Sequence, residues 1–113
     1  MPNLKKILFV NRRAGVGEGR PDEMLEAARM AAAFGAEVHL AFLDDGVFQL
    51  RRGAPRSDSL AGLADDDIDH VWVEREALAE RGLAPEDLAI PVTLVDVPAM
   101  TAVMAGMDAV ISA

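Results

Sequence analysis

The sequence predicts an α/β fold, a three-layer α/β/α sandwich around a mostly parallel sheet of five strands. Two observations carry this expectation. Short runs of β-branched and large apolar residues recur along the chain, and they are apolar on both faces, as strands covered on two sides must be. Helical patterns with start and stop residues separate them, which is the alternation of parallel sheets with right-handed crossovers. A chain of 113 residues with no internal repeat is expected to form a single domain over residues 1–113.

The first strand is expected at Lys6 to Val10. The second runs from Glu37 to Leu43, with Val38, Leu40 and Phe42 on one face and Ala41 and Leu43 on the other. His39 lies within it, and a lone histidine in such a strand is expected to pack rather than to ligate. His70 to Val73, Val92 to Val95 and Ala109 to Ile111 are the remaining strand runs. The first helix opens with Pro21, a residue whose fixed φ suits a first turn, and Asp22 and Glu23 complement the helix dipole. Leu25, Ala28 and Ala32 form its inner face, and Gly35 is placed to cap its end. Leu60 to Asp67 is weakly helical. Glu76 to Arg81 makes a short helix stopped by Gly82, and Pro85 opens a turn with Glu86 and Asp87. Pro98 begins the last helix, with Met100, Val103 and Met104 facing inward and Gly106 ending it. Arg51 to Ser59 (RRGAPRSDS) reads as a mobile surface loop.

Composition narrows the function. No apolar run approaches the roughly 20 residues of a membrane span. The apolar run near the N-terminus, Ile7 to Val10, is shorter than a secretory signal's core of roughly 7–15 residues. A cytoplasmic protein with no membrane contact is expected. A net charge of −8 repels phosphate backbones, so direct nucleic-acid binding is not expected. Arg12, Arg13, Arg51, Arg52 and Arg56 are expected to be scattered solvated charge. The chain has no cysteine, which removes disulfides, thiolate metal sites and cysteine nucleophiles.

Ligands of parallel sheets gather at the strand carboxyl ends. The first such loop, Asn11 to Arg20, has glycines at 15, 17 and 19, but their spacing fits neither the dinucleotide fingerprint nor the P-loop. It is expected to be a flexible connector. A phosphoacceptor receiver would need acidic residues where Asn11, Arg12 and Arg13 stand, and a flavodoxin would need a hydroxyl-rich loop and flanking aromatics. The acidic run Asp65, Asp66, Asp67 and Asp69 lacks the alternation and closing glutamate of a calcium loop, and reads as a solvated helix end. No metal and no cofactor are expected. Asp44 and Asp45 are adjacent and therefore tend to point to opposite faces, which does not make a catalytic carboxylate pair. Asp45 is expected to cap a short helix beginning at Gly46. That helix carries Val47, Phe48 and Leu50, and periodicity alone leaves open whether they fold onto the core or form a surface.

Three stretches then combine: GRPDEMLEAA (19–28), DGVFQL (45–50) and VWVEREALAERGL (71–83). In this order and spacing the sequence resembles the DsrE/DsrF-like family of sulfur-relay proteins, closest to its TusC/DsrF subunits, over nearly the whole chain. The resemblance implies an α/β sandwich of the DsrEFH-like kind. It also implies a heterohexamer of two copies each of three related subunits, with DsrE/TusD-like and DsrH/TusB-like partners. In that assembly the DsrE/TusD-type subunit carries a cysteine that is persulfidated and hands sulfur onward, toward tRNA 2-thiolation or sulfur oxidation. That cysteine lies just past the third strand, eight residues before the glycine ending the next helix. Here the matching position is Glu74, whose carboxylate cannot form a persulfide and repels one. The resemblance therefore implies a subunit with no catalytic residue of its own, accessory to a sulfurtransferase complex. Asp45, Gly46, Val47, Phe48 and Leu50 are expected to build a partner-binding surface. The competing expectation is a stand-alone small α/β domain, possible as a homo-oligomer, that binds a ligand or protein over the Asn11–Arg20 and Asp44–Gly46 loops.

Overall fold

A computed structural model describes residues 5–14, 20–55 and 57–112. Its elements run in the order β1 (Lys6–Asn11), α1 (Arg20–Ala33), β2 (Glu37–Phe42), a 3₁₀ segment (Asp44–Leu50), α2 (Ser57–Ala61), a second 3₁₀ turn (Leu63–Asp66) and β3 (His70–Glu74). They continue with α3 (Arg75–Glu80), a third 3₁₀ turn (Pro85–Asp87), β4 (Thr93–Val95), α4 (Val97–Ala105) and β5 (Ala109–Ser112). The five strands form one sheet in the order β4-β3-β2-β1-β5, and every pairing is parallel. The expected sheet is present, and it is wholly rather than mostly parallel.

Strand alternation sends the two sets of apolar residues to two separate cores. Phe9, Val38, Leu40, Phe42, Val71 and Val73 meet α1, α2 and α3 on one face, where Leu25, Ala28, Leu60 and Leu78 are buried with them. Leu8, Val10, Ala41 and Leu43 face the other way, where Met100 of α4 closes over them. Among the described residues, the second outer layer is thus a single helix of 9 residues.

The helix ends follow from local chemistry. Gly35 has φ 96. Its N–H bonds to the Ala32 carbonyl at 3.0 Å, and that of Ala36 to the Ala31 carbonyl at 3.0 Å. This is a Schellman termination that a left-handed glycine permits. Asp96 caps α4 by accepting from the Ala99 N–H at 2.8 Å, so that helix begins at Val97, with Pro98 second.

One expectation about the loops fails. Arg51–Ser59 is not a free surface loop: Arg51 makes an antiparallel bridge to Leu88, Ala54 is buried, and α2 starts at Ser57. The expected connector at Asn11–Arg20 lies in part outside the described residues, as does Arg56.

Candidate functional site

The carboxyl ends of β1, β2 and β3 bring together Arg12, the Asp44–Leu50 segment and Glu74. The segment is tied down on several sides. The Leu43 N–H donates to the Asn11 carbonyl at 2.9 Å, and the Gly46 N–H donates to the Leu43 carbonyl at 2.8 Å. A Cβ on Gly46 would sit 2.0 Å from the Asn11 carbonyl oxygen. Glycine is needed here because two backbones touch, not because of a positive φ.

The rest of DGVFQL is committed inside the molecule. Val47 and Leu50 are 0% exposed and belong to the larger core. Gln49 is buried, and its Nε2 donates to the Arg13 carbonyl at 2.8 Å. Asp45 does not cap a helix as expected. The 3₁₀ segment starts two residues earlier, at Asp44, with Leu43 in the cap position, and the Asp45 carboxylate instead accepts from Arg81 Nε at 3.0 Å. Val47, Leu50 and the buried Gly46 therefore cannot present contacts to a partner, because their own core uses them. Asp45 and the half-buried Phe48 keep surface, with the Arg51 guanidinium 5.9 Å from the Phe48 ring centre.

Glu74 ends β3 and stands in the cap position of α3. Burial pushes its carboxyl above the ordinary carboxylate range, and Asp44, Glu76 and Glu80 push it further, while Arg12 opposes. Arg12 is itself paired with Asp44 at 3.1 Å. Glu76 accepts from the Val97 N–H at 3.3 Å through one oxygen, and its other carboxyl oxygen is buried without a partner. The ground around Glu74 is thus negative, which disfavours an incoming anion such as a persulfide.

Among the described arginines of the expected scatter, three have separate neighbours. Arg12 pairs with Asp44, Arg51 lies by Phe48, and Arg52 bonds the Glu86 carbonyl at 3.1 Å.

At the opposite end of the sheet is a constellation that the sequence did not reveal. Glu37, His39 and His70 bring one ligand-type atom each to within 4.8 Å of one another. The arrangement nevertheless opposes coordination. Trp72 Nε1–H, which can only donate, points at His39 Nδ1 from 3.0 Å. That leaves the His39 proton on Nε2, facing Glu37 Oε2 at 2.6 Å. A metal at Nε2 would drive that proton to Nδ1, against the indole N–H. The His39 and His70 rings also stack at 4.2 Å with 16° between planes, so their in-plane lone pairs run side by side instead of converging. The cluster is a packed hydrogen-bond relay. The only hint in the sequence was Glu37-x-His39 on one strand and His70-x-Trp72 on its neighbour.

An apolar recess of about 230 Å³ lies near the amino end of β3, lined by Leu60, Leu63, Ile68, Val71, Ile90 and Pro91. It is smaller than ordinary small-molecule sites, which run roughly 300–1,000 Å³, and it is remote from the loops where a ligand was expected.

Comparison with known proteins places this geometry. Residues 5–113 match the model of the DsrE/DsrF-like family. The intracellular sulfur oxidation protein DsrF of Allochromatium vinosum is 37% identical over 93 residues, covering 75% of this chain and 68% of that protein. A TusC homolog of Pseudomonas aeruginosa is 31% identical over 96% of this chain and 98% of its own. Among solved structures, the ychN protein of E. coli superposes with a TM-score of 0.84 at 18% identity, covering 97% of this chain and 100% of that one.

Proposed function

The chain belongs to the DsrE/DsrF-like family, and we propose that it serves a sulfur-relay complex as a subunit that carries no sulfur itself. The observation that carries this reading is Glu74. Where the resemblance expects a persulfide-bearing thiol, this chain has a partly desolvated carboxyl among other carboxylates, and no cysteine anywhere. A thiol-free subunit can still shape, shield or recruit the sulfur-bearing one. The relatives named DsrF and TusC point to the same role.

The partners of this reading are a cysteine-bearing DsrE/TusD-like subunit and a DsrH/TusB-like subunit in the cytoplasm. Phe48 is the residue we assign to contact with one of them. It is the apolar side chain of DGVFQL left partly at the surface, with Arg51 beside its ring and the charged Asp44, Asp45, Arg51 and Arg52 flanking it in the sequence, a layout like an interface rim. No helix among the described residues is long and apolar enough to cross a membrane.

Affinity purification of the tagged chain from its native host tests the reading directly. A small cysteine-containing relative and a third small subunit are expected to co-purify. The isolated chain, exposed to a persulfidated donor, is expected to keep its mass. A stable one-sulfur adduct on the isolated chain, or co-purification with none of these partners, overturns the proposal.

A further inference from the structure

The relay at the amino end of the sheet is satisfied in one protonation state of His39. The neutral ring accepts at Nδ1 from the Trp72 Nε1–H at 3.0 Å and donates from Nε2 to Glu37 Oε2 at 2.6 Å. The imidazole and indole planes lie within 8° of parallel, as an in-plane bond between two rings requires. An imidazolium has a donor on each nitrogen, and an indole N–H has no lone pair to offer. A charged His39 that keeps Glu37 therefore turns a second N–H against the indole. No rotation of the ring restores an acceptor there. His39 is buried, so the conflict arises away from solvent, where an unmade hydrogen bond is most costly.

The charged neighbours come from three strands. Lys6 of β1 stands opposite Glu37 in the register, and its backbone N–H donates to the Asp108 carboxylate at 2.7 Å. On β3, His70 stacks on His39 at 4.2 Å, and Asp69 lies 3.4 Å from His70 Nε2. Lys6 and a charged His70 oppose charge on His39, and Glu37 favours it. The remaining neighbours are neutral: β4 sets Thr93 opposite Trp72, β5 sets Val110 opposite Leu8, and α4 has no charged side chain. The Glu37 carboxyl is held below its ordinary range, chiefly by the His39 hydrogen bond. It therefore stays ionised in mild acid and retains the Nε2 proton.

Trp72 is also part of the packing under α4. It lies against the smaller core together with Val103 and Met104 of that helix and Met107 just beyond it. We propose that His39 and Trp72 form a proton-operated latch on α4: charging His39 releases the indole and loosens the helix that covers the smaller core. A buried histidine whose two neighbours suit only its neutral form is a two-state element of the kind that protonation biases. The far end of α4 carries the effect toward the candidate site, since the Val97 N–H donates to Glu76, two residues from Glu74. The latch does not depend on the sulfur-relay reading.

Trp72 is the only tryptophan of the chain, so its indole N–H reports the latch in the purified full chain with no relay partner present. Failure here leaves the sulfur-relay reading standing. Nuclear magnetic resonance between about pH 5 and 7.5, where histidines ordinarily titrate, follows that proton and the His39 ring nitrogens together. Both are expected to change at the same pH. Below it, the indole N–H is expected to exchange at least about tenfold faster, relative to free tryptophan at equal pH, and the α4 amides to lose protection with it. His39→Gln, whose amide takes no proton, is expected to abolish the change, while His70→Gln and Glu74→Gln keep it. If His39→Gln does not fold, the coincidence of the two wild-type titrations decides. A His39 ring that takes no proton in this range overturns the proposal, as does an indole N–H or an α4 helix unmoved when it does. So does a change that survives His39→Gln or is lost in either of the other variants.

Discussion

The Asp44–Leu50 segment and the stretch 97–112, which holds α4 and β5, look alike in sequence, since both place apolar residues where a small domain would show polar ones. The fold treats them oppositely. In the first, Val47 and Leu50 turn back into the larger core, Gly46 presses on the β1 backbone, and Gln49 and Asp45 bond within the chain. In the second, Val97, Val110 and Ile111 stay in solvent while Met100 is buried. Apolar loop residues are thus no evidence of an interface until their own core has been given first claim. Those left over are the ones that need a partner.

Substitutions can break this comparison, and the largest effects belong to the first region. Gly46→Ala puts a methyl against a backbone carbonyl that cannot rotate away, so a loss of about 3 kcal/mol or more is expected, at the top of overpacking costs. Chemical denaturation would show it as a lowered midpoint, and a midpoint near wild type would mean that the β1–Gly46 contact is loose. Leu50→Ala should cost about 2–5 kcal/mol, as for other fully buried leucines. A loss under about 1 kcal/mol would return that residue to the surface set.

Phe48→Ala sharpens the comparison because this ring stands between the two cases. Half-buried, and with Arg51 beside it, it should cost the isolated chain about 1 kcal/mol while weakening capture of the hetero-partners far more. A melting temperature that falls as far as for Leu50→Ala would put the ring in the core and remove its interface role.

The smallest expected effect tests the electrostatics at Glu74. Its carboxyl is raised above the ordinary range, so the folded state holds that proton more tightly than the unfolded state does. The ionised group therefore costs stability above its ordinary value, and the cost is relieved as pH falls through the raised one. Glu74→Gln should stabilise by up to about 0.5 kcal/mol at neutral pH, with no gain in acid. Glu37 has the opposite sign. Its carboxyl is lowered chiefly by the His39 hydrogen bond, so its contribution is present above the ordinary value and lost as pH falls through the depressed one. Thermal melts of Glu74→Gln and Glu37→Gln across that range should diverge in opposite directions, and parallel curves would defeat the assignment.

The sequence by itself determined the architecture. The central strands were legible because residues such as Leu8 and Phe9, or Leu40 and Ala41, are apolar on both sides of the pleat, as strands covered on two faces are. Gly35 and Gly82 marked helix ends because the caps they make are local, while the Asp96 cap of α4 was found only in the structure. The sequence also located the absence of a thiol at Glu74, once the spacing to Gly82 was set beside the family pattern. Tertiary structure alone decided the rest, because the deciding contacts join residues far apart in the chain. The destination of Val47 and Leu50, the contact of Gly46 with Asn11 and the pairing of Asp45 with Arg81 depend on neighbouring strands and helices. The Trp72 hydrogen bond that fixes the His39 proton depends on β2 lying beside β3. The near-absence of charge from Val97 to Ser112 could be read from the letters. That it lies exposed could not, because burial depends on which strand ends the sheet, and strand order is set by packing rather than by any residue of the strand itself.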